Sequence, residues 1–287
     1  MFRCKIACAL TVLAGLVVTP FCSAVTTFNG DIVLPRSSNP YTQENRYLQT
    51  LLQRALAASG NDTIKVRYSE ETMNAARANY FLQHNQVINL NWLSASKGTE
   101  LGLNAIPIPL YKGLHGKRVF IIRSDRQADF ARVKNLQALA QKLCVQSEGW
   151  SDFEVLKRNG LSIDGQLDYP GMIKALRDGL ADYFPRSALA VKQEMQQLQG
   201  TSLVIESSLL LSYPNNYYFF THPTQKELAE SLLQGLQQLV TSGEFDALFN
   251  QYHGDQLEGL NLEQRTLLEL NHTHQQPQAR PEMRRGV

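Results

Sequence analysis

Apolar and polar positions along this chain switch repeatedly between a period near two and a period near 3.6. That alternation of strand and helix signals predicts an α/β architecture. Residues 32–34 read as a first strand stopped by Pro35. Residues 43–58 read as a helix with Tyr47, Leu48, Leu51, Leu52, Ala55 and Leu56 on one face and Gly60 just past its end. Segment 63–68 alternates as a strand, Ser69 is placed to cap a helix reaching about residue 82, and 87–93 is the next strand. After the proline-marked IPIPLYKG (106–113), KRVFIIR (117–123) predicts a buried strand. Helices are then expected at 133–143, 151–158, 170–177 and 189–197, with strands at 144–146, 181–184 and 202–206 between them. NYYFFT (216–221) predicts another strand, followed by helices over 225–242 and 245–252. Residues 271–287 are polar, contain two prolines and lack an apolar period, so they are expected to be a disordered tail.

The N-terminus changes the apparent composition. Arg3 and Lys5 precede an apolar run over 6–18, and 19–24 end in Cys-Ser-Ala, which together read as a cleaved signal peptide over 1–24. The run of 13 residues is shorter than the roughly 18 to 20 that a spanning helix needs. Its removal takes away two basic residues and no acidic ones, so the +2 chain becomes a neutral product with 26 charges of each sign. Neutrality argues against nucleic acid and anionic membrane as partners. Cys4, Cys8 and Cys22 leave with the signal, and the remaining Cys144 can form neither an internal disulfide nor a cysteine metal cluster. The expected product is periplasmic, monomeric and free of metal or other cofactor. Its stability must come from packed cores.

Enzyme signatures are absent: the sequence holds no Gly-x-Ser-x-Gly, His-Glu-x-x-His, phosphate-loop or Gly-x-Gly-x-x-Gly motif. Its six histidines show no metal-ligand spacing, and Cys144 on a strand reads as a small buried hydrophobe.

The stretches VINLNWLSAS (87–96), IPIPLYKGLHGKRVFIIR (106–123), VQSEGWSDFEVLKRNGL (145–161), LRDGLADYFPRS (176–187) and LLLSYPNNYYFFTHP (209–223) resemble, in order and spacing, family 3 periplasmic solute-binding proteins. That class includes the amino-acid receptors of ABC transporters. More closely, the chain is similar to an uncharacterised branch in which YKGL, the Trp-Asp region, YFPR and a Tyr-Pro-aromatic stretch recur. The resemblance covers about residues 30–265. It implies a two-lobed periplasmic-binding-protein type II fold with a central sheet in each lobe and two crossover strands. Residues 25–112 and 213–270 would form one lobe and 113–212 the other. It further implies capture of a small-molecule solute by hinge closure, and a membrane permease or signalling protein as partner. The fold also hosts a few periplasmic dehydratases, which leaves a lyase as a third reading.

Ser151, Asp152, Phe153 and Glu154 have the capping-box pattern, so a helix should begin there. In the family this loop contacts the ligand's carboxylate, and a helix cap without a ligand is the alternative. Trp92 and Trp150 fall where a strand or its following loop would reach the cleft, one from each lobe, or else fill the cores. DYFPRS (182–187) lies where the family places an Asp for the ligand's ammonium, which puts Arg186 or Ser187 at that position. An arginine cannot take an ammonium, so either the ligand carries an acidic group there or Arg186 pairs with a protein carboxylate. Ser94 opens SASKGTELGL (94–103), where Leu101 falls near the family's carboxylate-clamping arginine and Lys97 lacks the bidentate fork. Tyr111 and Lys112 at the first crossover, Tyr213 at the second and Arg36 after the first strand are further candidates. For each of these, packing or solvent exposure is the competing reading.

Overall fold

The computed structural model describes residues 30–38, 45–148, 150 and 152–271. The expected signal peptide (1–24), the tail from 272 and the cap at Ser151 lie outside the described residues. Strand β1 (Ile32–Ser37) runs parallel to β2 (Val66–Met73). It does not stop at Pro35. The ladder shifts register between Leu34 and Arg36, and such an irregularity accommodates a residue that has no N–H to donate. Helix α1 (Arg46–Ala58) starts at Asn45, whose side chain accepts from the Leu48 N–H, and it buries the face read from the sequence. Ser69 caps no helix. It sits inside β2, where its hydroxyl accepts from the Arg36 N–H and donates to the Glu71 carbonyl. Asn74 caps α2 (Ala75–Gln83) instead, because pairing with β1 carries the strand on through SEETM. Asn85 and Val87 adopt left-handed backbone, with φ of 53° and 58°, so β3 (Asn91–Ser94) begins later than its apolar run. Helix α3 (Ala95–Glu100) and β4 (Asn104–Ile106) complete this part.

The chain then crosses to β5 (Lys117–Arg123), the strand foreseen in KRVFIIR. Next come α4 (Gln127–Ala131), α5 (Leu136–Leu139), β6 (Leu143–Val145), α6 (Phe153–Arg158) and β7 (Ser162–Asp164). The single helix expected over 133–143 is shortened because Asn135 caps α5, its side chain accepting from the Ala138 N–H. Helix α7 (Tyr169–Asp178), β8 (Phe184–Ser187), α8 (Val191–Gln197), β9 (Leu203–Ile205) and β10 (Leu209–Ser212) follow. The return leads to β11 (Tyr217–Thr221), α9 (Lys226–Ser242), α10 (Glu244–Leu257) and β12 (Thr266–Glu269).

Strand β11 lies between β3 and β4, while α1 packs on α9 and α10 over one apolar core. In the second lobe β5 pairs antiparallel with β8, β9 and β10, and β6 pairs parallel with β7. Alternation along β5 sends Val119 and Ile121 into one core and Phe120 and Ile122 into another, on opposite faces of the sheet. Strand pairing places β12 with β10 in this second sheet, although the sequence reading groups 213–270 with the first lobe.

The segments between β4 and β5 and between β10 and β11 touch at Gly116, whose carbonyl accepts from the Tyr213 N–H at 3.1 Å. Behind them, Leu257 of α10 packs on the cores of both lobes, and Lys192 of α8 donates to the Asp255 and Glu258 carbonyls. Glu206 and Arg265 form a buried pair beside β9 and β10. Among the described residues, no helix is long and apolar enough to cross a membrane.

Candidate functional site

After β6, Trp150 packs against the core on one face of the second sheet and Asp152 pairs with Arg118 of β5. On one face, Trp150 stacks on Phe184 with ring centroids 5.9 Å apart, and the Arg186 guanidinium lies 4.8 Å from the Trp150 ring and 4.6 Å from the Phe184 ring. The Arg186 fork is taken by Glu194, with Nε to Oε2 at 2.6 Å and Nη2 to Oε1 at 2.7 Å. Of the two alternatives open for Arg186, this geometry is the pairing with a protein carboxylate, and an acidic solute group there must displace Glu194. Tyr169 adjoins Phe184. Its phenol pKa is raised by burial and then by the Glu194 charge.

Asp152 lies on the other face, 4% exposed, and helix α6 begins after it without a side-chain cap. Its Oδ2 is 3.1 Å from Arg118 Nη2, while Arg118 Nε and Nη2 donate to the Tyr213 hydroxyl at 3.1 and 2.9 Å. Tyr213 is buried at the second crossing, and burial pushes its phenol up to about 12 against the opposing pull of Arg118. The structure thus joins Asp152 and Tyr213 through Arg118, which the sequence reading left inside a buried strand. The signal was present, because KRVFIIR opens with two cations at a lobe junction.

Tyr111 is buried in the first lobe's core, its hydroxyl accepting from Asn45 Nδ2 at 3.0 Å and its ring meeting Tyr47, His115 and Tyr217. Trp92 is half-buried against that same core, opposite Phe219 in the β3–β11 ladder. Ser94 caps α3 and lies 3.2 Å from the Ser96 hydroxyl, and Lys97 pairs with Glu100 at 2.6 Å. Lys112 pairs with Asp246 at 2.9 Å, and the Arg36 Nε donates to the Ser69 carbonyl. The candidates therefore fall into three groups: Trp150 with Arg186, Asp152 with Tyr213, and Trp92, Ser94 and Tyr111 in the first lobe.

His115 packs beside the first-lobe group, edge-on to Tyr111 at 4.4 Å and tilted against Tyr217 at 4.5 Å. Burial, then the charges of Arg118 and His253, push its pKa from 6.5 down to about 4. Below 6.5 the unfolded chain takes up a proton that the folded chain refuses until about 4. Stability should therefore fall as pH drops from 6.5 toward 4 and level off below. Urea midpoints at pH 7 and pH 4.5 check this, with His115→Gln expected to show a shallower fall than the parent. Equal falls would remove His115 as the cause.

Among the described residues, no group of three His, Cys, Asp or Glu side chains is placed to hold a metal ion. Cys144 is buried, and burial followed by the Asp152 charge raises its thiol well above the usual range.

No protein-family profile and no curated relative matches the chain. Solved structures do. The probable amino-acid ABC transporter extracellular-binding protein YtmK from Bacillus subtilis superposes with a TM-score of 0.60 at 15% identity, covering 80% of this chain and 99% of that one. The second substrate-binding domain of GlnP from Lactococcus lactis, in an open conformation, gives 0.54 at 17% identity over 78% and 95%. The periplasmic VFT2 domain of BvgS from Bordetella pertussis gives 0.53 at 13% identity over 78% and 92%. The chain therefore has the two-lobed α/β fold of periplasmic binding proteins.

Proposed function

We propose that this protein is an exported solute-binding protein that captures a small polar, carboxylate-bearing, amino-acid-like solute between its lobes and presents it to an ABC transporter permease. The likeness of nearly the whole folded chain to the extracellular binding protein YtmK and to the GlnP domain supports this reading most directly. The site geometry is compatible with it. Aromatic rings at Trp150 and Tyr213 sit beside guanidinium groups already balanced by Asp152 and Glu194, so a solute exchanges partners with existing ion pairs. Closure about the crossing segments at Gly116 and Tyr213 would exclude water and strengthen those contacts. A ligand-sensing module docked on a membrane signalling protein is the second reading, favoured by the shared fold of the BvgS periplasmic domain.

Thermal-shift screening against amino acids, keto acids and dicarboxylates tests the binding role. A solute present at a hundred times its Kd stabilises the folded state by about 2.7 kcal/mol, which gives a clear rise in midpoint. A flat response across all three classes would overturn the solute-binding reading.

A further inference from the structure

One flank of the first lobe holds an apolar residue in strained backbone and in contact with water. Val87 has φ of 58° and is 57% exposed, and the Ile88 N–H donates across it to the Gln86 carbonyl at 2.5 Å, closing a three-residue turn. A β-branched residue in left-handed backbone is a steric outlier, and this kind of turn is rare. The φ of 53° at Asn85 is accounted for by the end of α2, where the Gln86 N–H bonds the Phe81 carbonyl at 2.9 Å. Val87 has no such account. Its neighbours hold it outward: Ile88 is buried, and Asn89 takes the Val33 N–H on its side chain and gives its own N–H to the Val33 carbonyl.

Val87 is a wall common to two surface cavities. The larger, about 440 Å³, has Val33, Met73 and Phe81 as its apolar lining, and the smaller is about 210 Å³. Tyr80, 54% exposed, extends the apolar surface past Phe81, with ring centroids 6.0 Å apart. The exposed Leu180, Val240 and Leu267 line neither cavity, and scattered apolar residues of that kind are ordinary. A knob beside a hole on a continuous apolar face is not. Such faces mark interaction sites.

The polar lining decides the occupant. Arg67, Arg77, Glu70 and Glu71 bring two charges of each sign to the larger cavity, so two identical faces do not repel, whereas a strongly acidic or basic partner meets as many like charges as opposite ones. Arg67 pairs with Asp31 and Arg77 with Glu71. Glu70 is exposed and has no ion pair or hydrogen bond among the described residues. The smaller cavity has no charged lining residue and carries amides instead, of which the exposed Gln86 side chain likewise has no partner among the described residues. An amide donates to a carboxylate. A two-fold axis close to Val87 lays the charged half of one copy on the amide half of the other, so that Glu70 meets Gln86 twice and each Val87 enters the other copy's larger cavity.

We infer that this flank of the first lobe, centred on Val87 with Tyr80, Phe81, Glu70 and Gln86, is a surface through which two copies of the chain pair about a two-fold axis. The inference is independent of the solute-binding reading and departs from the monomer expected from the sequence. The face is smaller than the roughly 20–30 residues a side of a standard interface, so the dimer should be weak, with Kd in the range of about 10–100 μM.

Sedimentation equilibrium of the full chain over about 1–500 μM tests it. The average mass should climb from one chain toward two, and a single-chain mass throughout overturns the inference. Val87→Asn should weaken association at least about tenfold while the melting midpoint of dilute protein rises, because asparagine accepts left-handed backbone and relieves the strain. Leu180→Asp, on the second lobe, should leave association as it is. Association that survives Val87→Asn, or is lost in Leu180→Asp, puts the contact elsewhere and overturns the inference. Gln86→Glu sets like charges together across the axis and should also weaken association about tenfold, and adding Glu70→Arg should restore it. A double variant no tighter than Gln86→Glu alone overturns the two-fold pairing.

Discussion

Glu206→Ala is expected to cost about 3–5 kcal/mol of folding stability, a large share of the roughly 5–15 kcal/mol that holds a typical domain together. The carboxylate is fully buried, and its two oxygens answer Gln127, Ser208 and Leu209. Arg265 Nη1 lies 3.7 Å from Oε2 and donates to the Leu209 carbonyl at 3.0 Å and to the Glu206 carbonyl, while Nε donates to the Leu260 carbonyl at 2.7 Å. Alanine removes the negative charge and leaves Arg265 buried without a counter-ion, together with two orphaned backbone N–H groups. Removing one partner of a buried pair is costly for this reason, whereas exchanging both for apolar groups often is not. Urea unfolding should place Glu206→Gln between the parent and Glu206→Ala, since the amide keeps an acceptor but not the charge. A loss below about 1 kcal/mol for Glu206→Ala would show that the pair is dispensable.

Gly116→Ala is expected to lower stability by about 1–3 kcal/mol and to weaken solute binding together with it. An added Cβ would lie 1.8 Å from the Tyr213 carbonyl oxygen and 3.0 Å from its carbonyl carbon. Both are backbone atoms that cannot rotate away, so the two crossing segments must separate. Separation breaks the Tyr213 N–H to Gly116 carbonyl bond and moves the Tyr213 hydroxyl, on which Arg118 and, through it, Asp152 depend. Gly102→Ala is the control. Its φ of 66° strains an L-residue, but nothing lies within 4 Å, so the cost should stay near about 1 kcal/mol and binding should not change. Equal binding by Gly116→Ala and the parent would disconnect the crossing from the site.

Long periodic segments were legible because many residues vote together: α1 and α9 bury the faces that their spacing gives, and KRVFIIR is β5 over its full predicted span. The strands absent from the sequence reading, β4, β7, β10 and β12, are three or four residues long, but β6 and β9 are as short and were read, so length alone does not separate them. Ser69 misled because serine before an apolar stretch signals a helix cap only when no neighbouring strand claims the backbone, and β1 claims it through Met73. Trp150 and Arg186 could be singled out by residue type. That they meet each other and Glu194 follows from the pairing of β5 with β8 and the packing of α8, which no local pattern encodes.

The chain's own order of apolar and polar residues thus determined the α/β class, the main helices and the central strand, because each of these is decided within a dozen neighbouring residues. Tertiary structure alone decided which charges meet. Arg118 finds Asp152 34 positions away and Tyr213 95 positions away, and Glu206 finds Arg265 across 59. Local propensity acts over a turn of helix or a few strand residues. Desolvation and ion pairing act on whatever the finished fold brings within a few ångströms.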